Sequence, residues 1–520
     1  MTAYGTEMAA EHAGAARASA VTHTATTLAL AVIVTGLPIV AHFSGHLIGI
    51  GTCVVLGLLI ANFATAIVPP VLIFSYLFQN LFVALVSPYL ADLNDFNAIR
   101  AYNFLLTVSV WVVIVAHYWL SRHSFDRRFR ILINASFLAL GLAAVYFAIG
   151  FSANPKGAAV YLRNIAIPFM LFQCFALVAA RFRLTVHAAF VAMAWMLVAY
   201  GYCEALMHSR LFEYTNGRTY VDLNNLMVDP GAWVRELKEN GRVIRSNFDM
   251  LLVDFLNTPL LGELNIKIHR LLGPNFHPIS FAYAVAFFSL VMIAAGRSYY
   301  AVIAAPLLLL VGSKGALVMV LVSVAGLVAS RFIRGRAFLW LFAACLAGYA
   351  LAGVVIGLQA TDWHVIGFIG GIKGFIHNPF GHGLGAGGNL RLDTTQIDWE
   401  RSQRLGETDI GVESAVGVLL YQMGVAGIVI LVAVLWIGWR VWCLYARSDD
   451  RLTGIVALGL FTIVVNGIFQ EEALFAPLAL GTMMGLAGLL LGRDYRPRGA
   501  PPPRSSPGDA SRVRERAQRA

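Results

Sequence analysis

ILINASFLALGLAAVYFAIG, residues 131–150, runs for twenty positions without a charged side chain. The hydrocarbon core of a bilayer is about 30 Å thick, and a helix rising about 1.5 Å per residue crosses it in roughly 20 residues. Inside lipid, each backbone N–H and C=O needs a partner from the chain itself, so a single apolar segment of this length has to be a helix. Arg127, Arg128 and Arg130 stand just before it, which marks the end of a span.

The same pattern recurs along the chain. Apolar runs predict further helices at 27–43, 47–68, 71–90, 102–120, 164–180 and 184–203, then at 276–296, 299–312, 315–330, 336–356, 414–438, 453–470 and 472–491. The bulk numbers agree: the 520 residues are 58% hydrophobic and 13% charged, and the mean hydropathy is +0.71. The expected fold is therefore an all-α integral membrane protein of about 14 transmembrane helices. It divides into an N-terminal arm (1–26), a first group of spans (27–203), a long loop (204–275), central spans (276–356), a glycine-rich loop (357–413), last spans (414–491) and a basic tail (492–520).

Charge location sets the orientation. Arg17, Arg122, Arg127, Arg128, Arg130, Arg181, Arg183, Arg297, Arg331, Arg334, Arg336, Arg440, Arg447, Arg451 and the arginines from Arg493 onward all fall on one side. That side holds more than half of the 38 cationic residues and under a third of the 28 acidic ones. The positive-inside rule makes it cytoplasmic, with both termini there. The net charge of +10 is then a topology signal and an attraction to lipid headgroups, not a nucleic-acid footprint. The first 26 residues have no basic region leading into a cleavable core, so the first helix reads as an uncleaved anchor. Cys53, Cys174, Cys203, Cys345 and Cys443 fall in or at the ends of predicted helices and suggest neither a disulfide framework nor a metal site. RPRGAPPPRSSPGDASRVRERAQRA at the end reads as a disordered cationic extension.

Both long loops lie on the opposite, external side, so chemistry is expected there. In 204–275, apolar residues at irregular helical spacing suggest short helices on the membrane surface. The other loop holds NPFGHGLGAGGN, 378–389. Its glycines, Gly381, Gly383, Gly385, Gly387 and Gly388, fit either backbone N–H groups approaching a phosphate or a flexible turn at the membrane surface. The stretch lacks the GxxxxGK[ST] pattern, and no strand precedes it. Lys314, between two short apolar runs in LLLLVGSKGALVMV, is a second candidate. At the centre of a span it would cost ~2.5–3.5 kcal/mol, so it either snorkels from a tight turn or faces a cavity. Glu413 opens a strongly apolar helix, either as a first-turn acid worth ~0.3–1 kcal/mol or as a reactive carboxylate.

Three segments together resemble the bacterial O-antigen ligases and O-antigen-type polysaccharide polymerases. RLLGPNFHPISFA (270–282) is similar to that family's Arg-x-x-Gly…Pro-Asn segment leading into a helix, with His277, Pro278 and Ile279 where Asn-Pro-Asn-type residues are common. SKGA (313–316) is similar to its Ser-Arg-Gly-Ala, with Lys314 for arginine. The third match runs from NPFGHGLGAGG to ESAVGVLLYQMGVAG, a polar pair (Glu413, Ser414), nine residues and Gly424. In the ligases a histidine holds the position of Glu413; its absence favours a polymerase. The resemblance covers about 265–430.

It implies a glycosyltransferase of the bacterial inner membrane whose active site faces the periplasm. Glycan would pass from an undecaprenyl-pyrophosphate-linked oligosaccharide donor to the hydroxyl of a glycan acceptor, with inversion and no metal or cofactor. Pyrophosphate leaves readily once its charge is neutralised. Arg270 suits bidentate binding and Lys314 a point charge. One cation 4 Å from one anionic charge is worth about 4 kcal/mol before desolvation at an effective dielectric near 20. Glu413 is the expected base for the acceptor hydroxyl and His382 its rival. His377 and His382 have no neighbouring acid at ligand spacing. Trp363, Phe375, Phe380 and Trp399 are candidates for stacking on sugars or anchoring at headgroups. Polymerase is the first reading, ligase the second, and a lipid-linked oligosaccharide flippase the reading from another class. A flippase would show repeated halves, which are not evident here. Beyond the bilayer, the resemblance implies a chain-length regulator and export machinery as partners.

Overall fold

In the computed structural model the chain is helical almost throughout. The structure describes residues 2–90, 92–228, 251–255, 267–333, 335–390 and 397–496. Among these, nine helices are long and apolar enough to cross a membrane: Ala20–His42, His46–Phe63, Thr65–Tyr89, Leu93–Leu120, Arg127–Phe151, Pro155–Arg181, His187–Tyr214, Gly335–Gln359 and Val425–Ser448. Four shorter apolar helices accompany them, Pro278–Ala294, Tyr299–Val311, Lys314–Ala329 and Arg451–Asn466. The chain is therefore an all-α membrane-embedded protein. Residues 131–150 lie inside Arg127–Phe151, which Asp126 caps by accepting from the Arg128 N–H at 2.7 Å.

Several expected elements are organised differently. The arm 1–26 is not separate, because one helix runs from Thr2 to His42. The span expected at 164–180 begins at Pro155. Asn154 accepts from the Gly157 N–H at 2.9 Å, and Pro155 needs no hydrogen bond at the first helical position. The helix expected at 414–438 is two, Ala415–Met423 and Val425–Ser448. They break at Gly424 (φ 55°, ψ −129°), where a Cβ would lie 2.0 Å from the Pro379 carbonyl. The segment expected at 472–491 is also broken, into a short helix Glu471–Phe475, a π turn Pro477–Gly481 and a helix Thr482–Asp494.

The two long loops contain more structure than expected. In 204–275, the preceding helix continues to Tyr214 through a kink at Met207, and a second helix spans Gly217–Val228. The described remainder is a small antiparallel strand pair, Leu252–Asp254 with Lys267–His269, rather than surface helices alone. Within 357–413, Trp363–His377 and Trp399–Leu405 are helices. Most of the tail 492–520 lies outside the described residues.

Burial separates the centre of the bundle from its rim. The helix Pro155–Arg181 is mostly buried, whereas Gly335–Gln359 presents most of its side chains outward. Small residues allow the closest approaches. A Cβ on Gly488 would lie 2.4 Å from the Phe172 carbonyl, and one on Gly492 2.2 Å from that of Ala176. These contacts seat the last helix directly on Pro155–Arg181. In the same way Gly371 packs on Gly417, which sets the helix Trp363–His377 against Ala415–Met423. That contact positions the site.

Candidate active site

RLLG (270–273) is held from behind by a buried acid. The Glu204 carboxylate accepts from the Leu272 and Gly273 backbone N–H groups at 2.7 and 2.8 Å. Gly273 has φ +68°, and a Cβ there would enter the Phe281 ring, so only glycine makes this turn without strain. The turn delivers Arg270, whose Nε donates to the Val311 carbonyl at 3.0 Å. A few residues on, His277 caps Pro278–Ala294, accepting from the Ser280 N–H at 3.3 Å.

Val311 leads into the second motif. Gly312 (φ 70°) ends one short helix, and Lys314 starts the next. The motif is fixed by Asn466, whose amide donates to the Gly315 carbonyl at 2.7 Å and to the Tyr283 hydroxyl at 3.2 Å. A Cβ on Gly315 would strike the Gln470 amide oxygen and the Tyr283 hydroxyl. Arg270 is thus anchored on Val311, just before the exposed Lys314, whose neighbour Gly315 packs against Gln470 and so near the acids that follow it. Glu472 lies 4.0 Å from His277 and acts electrostatically on Arg270.

Two further arginines join them. Arg100 ends the helix Leu93–Arg100, donates to the Asn224 side chain at 2.9 Å, and acts on both His277 and Arg163. Among the described residues none of Arg100, Arg163, Arg270 or Lys314 has a carboxylate within salt-bridge distance. Cations grouped at one end of a bundle without carboxylate partners suit an anionic ligand.

Glu413 stands across Glu472 from this group. It has φ +58°, an uncommon conformation for a side chain of its size, directly before Ser414, which caps Ala415–Met423 through the Gly417 N–H at 3.1 Å. The neighbour that the spacing did not reveal is His364. Asp362 caps the helix Trp363–His377, placing His364 in its first turn. There His364 Nδ1 donates to the Glu413 carbonyl at 2.9 Å and lies 3.7 Å from its carboxylate. Burial raises the Glu413 carboxyl above its ordinary value. The His364 ring and the Asn389 side chain oppose that shift, and Glu472 adds to it. Trp363, the residue before His364, meets Trp399 edge to face, their centroids 4.3 Å apart.

Glu471 is the deepest acid of the group. It accepts from the Tyr161 hydroxyl at 2.6 Å, while its other oxygen is buried without a partner.

The glycine stretch is engaged by the rest of the chain. His382 stacks on Tyr421 at the far end of Ala415–Met423, with its Nδ1 2.9 Å from the Tyr421 carbonyl. Eight residues of helix separate that end from Glu413, on the order of 12 Å, so the structure does not bring the two candidate bases together. The amides of Gly381, Gly383, Gly385 and Gly388 donate to Asn378, Gln422 and Gly411 oxygens, which leaves none of these four free for a phosphate. The glycines are needed for close packing: Gly383 lies on Gly150, Gly385 on Ala158, and Gly387 on Tyr421. Only the end of the stretch reaches the site, through Asn389. At Gly388 (φ +76°) a Cβ would fall 1.8 Å from the Tyr161 hydroxyl. Gly388→Ala should destabilise the protein by roughly 2 kcal/mol or more, read as a lower melting temperature in detergent; an unchanged melt would contradict this packing.

Among the described residues one set has the spacing of metal ligands, His42, His46 and Asp95, and it lies apart from Glu413. A cavity of about 210 Å³ beside His117, Tyr118 and Arg181 lies at the opposite ends of these helices and is not part of the site. The fold and the cluster together define a multispanning membrane protein with a cation-rich, carboxylate-bearing site at one end of its bundle. No family model matches the chain, and neither the curated proteins nor the solved structures include a significant match to it.

Proposed function

We propose that the protein is a membrane glycosyltransferase of the polysaccharide-polymerase type. It transfers glycan from undecaprenyl pyrophosphate to a sugar hydroxyl of another lipid-linked unit. The observation that carries this reading is the group Arg100, Arg163, Arg270 and Lys314, without carboxylate partners among the described residues and next to the strained, half-buried Glu413. The cations suit the pyrophosphate. Stabilising charge as it develops on the leaving oxygen lowers the barrier, whereas binding substrate and transition state equally does not. The Glu413 carboxylate takes the proton from the acceptor oxygen as the new C–O bond forms and the bond to pyrophosphate breaks. Its raised proton affinity makes it a better base than an ordinary glutamate. His364 orients it through the backbone, and the Trp363–Trp399 pair offers an aromatic face to sugar rings.

In this reading the nine long helices, the four short ones and the broken last segment make fourteen crossings of a bacterial inner membrane. Both termini are cytoplasmic and the site faces the periplasm. One observation favours the ligase alternative: His364 supplies, from another helix, the imidazole that is missing at position 413. The two readings separate in a strain lacking the protein. Single repeat units accumulating on the lipid carrier support the polymerase, and full-length glycan stranded on the carrier supports the ligase. Normal glycan on carrier and surface would overturn both.

A further inference from the structure

HFSGH, residues 42–46, places two histidines either side of a helix break. One helix ends at His42 and the next starts at His46, with Gly45 (φ 146°) between them. The reversal brings the two rings to a centroid distance of 4.4 Å. Asp95, in the first turn of Leu93–Arg100, closes the group. Its Oδ1 lies 2.6 Å from His46 Nε2 and 3.4 Å from His42 Nε2. Among the described residues no lysine or arginine pairs with Asp95, so the two imidazoles are its close partners.

We infer that His42, His46 and Asp95 form a binding site for a divalent transition-metal ion such as zinc. Two imidazole nitrogens and a carboxylate oxygen are a ligand set zinc accepts, with water in the fourth position. The three donor atoms lie within 4.8 Å of one another. In a tetrahedral site with bonds of about 2.1 Å, donor atoms stand about 3.4 Å apart. The His42–Asp95 pair already has that spacing. The His46–Asp95 pair has to open by under an ångström, which the 58% exposed His46 side chain can do by rotating.

The surroundings are built for it. His42 Nδ1 lies 2.7 Å from the Tyr102 hydroxyl. With Nδ1–H donated there, the Nε2 lone pair points to the ion, the arrangement that orients metal-bound histidines. Gly49 makes room, since a Cβ on it would lie 2.4 Å from that hydroxyl and 3.0 Å from His42 Cα. His42 forms a buried floor at 4% exposure and Asp95 is 15% exposed, while His46 stands at the rim and leaves an entry path. An ion here ties the junction of the first two helices to the segment that ends in Arg100, and it is independent of the proposed transfer chemistry.

The test uses the full-length protein purified in detergent, stripped with chelator and titrated with zinc chloride against a chromophoric competitor. Bound zinc is counted by mass spectrometry. The expected result is one zinc per chain, with visible absorption of four-coordinate type when cobalt replaces zinc. His46→Gln and Asp95→Asn are each expected to weaken binding at least about 100-fold, and Tyr102→Phe about 10–100-fold. Because His46 is at the rim, His46→Gln should keep the metal-free melting temperature, and zinc should raise that of the wild type alone. No zinc retained by the wild type, or wild-type affinity in both His46→Gln and Asp95→Asn, would overturn the site and leave a hydrogen-bonded His–Asp cluster.

Discussion

Arg270→Ala is expected to lower glycan transfer roughly 10²–10³-fold, the usual cost of removing one charged or hydrogen-bonding group that stabilises a transition state. One guanidinium nitrogen is anchored on the Val311 carbonyl, so the remaining N–H groups point where the fold directs them. A pyrophosphate oxygen pair matches that fork. The variant should insert and fold normally, because the RLLG turn is held by Glu204 through the Leu272 and Gly273 amides and not by Arg270. Arg270→Lys keeps the charge but loses the fork, and should recover only part of the rate. Transfer from a synthetic lipid-pyrophosphate donor in proteoliposomes checks all three. Equal rates for wild type and Arg270→Ala would remove the arginine from the pyrophosphate.

Glu413 carries the second large effect, and its backbone separates chemistry from strain. Glu413→Gln should slow transfer about 10²–10⁴-fold, the range for losing a general base, while leaving the strained φ in place. Glu413→Gly should be just as inactive. It should nonetheless be more thermally stable by about 1 kcal/mol, because glycine adopts φ near +58° without penalty. In the wild type the rate should fall as pH drops through the Glu413 value. Burial places that limb at higher pH than an ordinary glutamate would give. The limb should be absent from Glu413→Gln. A glutamine variant with wild-type turnover and an unchanged pH profile would assign the base elsewhere, with His364, 3.7 Å away, next in line.

Much of the architecture is local information. An apolar run such as 131–150 has one way to satisfy its backbone in lipid, so the existence of spans follows from composition and length alone. Arg270, Lys314 and Glu413 stand out for a related reason: ionisable groups next to apolar runs are costly and conspicuous. The helix breaks are less legible. Gly424 and the extended Ala476 interrupt runs that look continuous, because the neighbouring backbone that requires the break comes from elsewhere, as Pro379 does at Gly424.

The glycines of 378–389 show where local reading stops. In isolation they fit a phosphate loop as well as a tight turn. Their hydrogen bonds to Gln422 and Gly411, and their contacts with Gly150, Ala158 and Tyr161, make them packing residues in the fold. His364 was hidden for the same reason. It lies 49 residues from Glu413, and only the glycine-mediated approach of Trp363–His377 to Ala415–Met423 joins them.

By itself the sequence determined a membrane-embedded helical protein, its main apolar segments and three of the charged residues of the proposed site. Only the tertiary structure decided that Arg100 and Arg163 belong with Arg270, that Glu471 rests on a tyrosine 310 residues away, and that His42, His46 and Asp95 converge. Burial in lipid is a property of each segment and is written in its composition. Pairing between segments depends on which helix faces meet, and that is set by packing summed over the whole bundle.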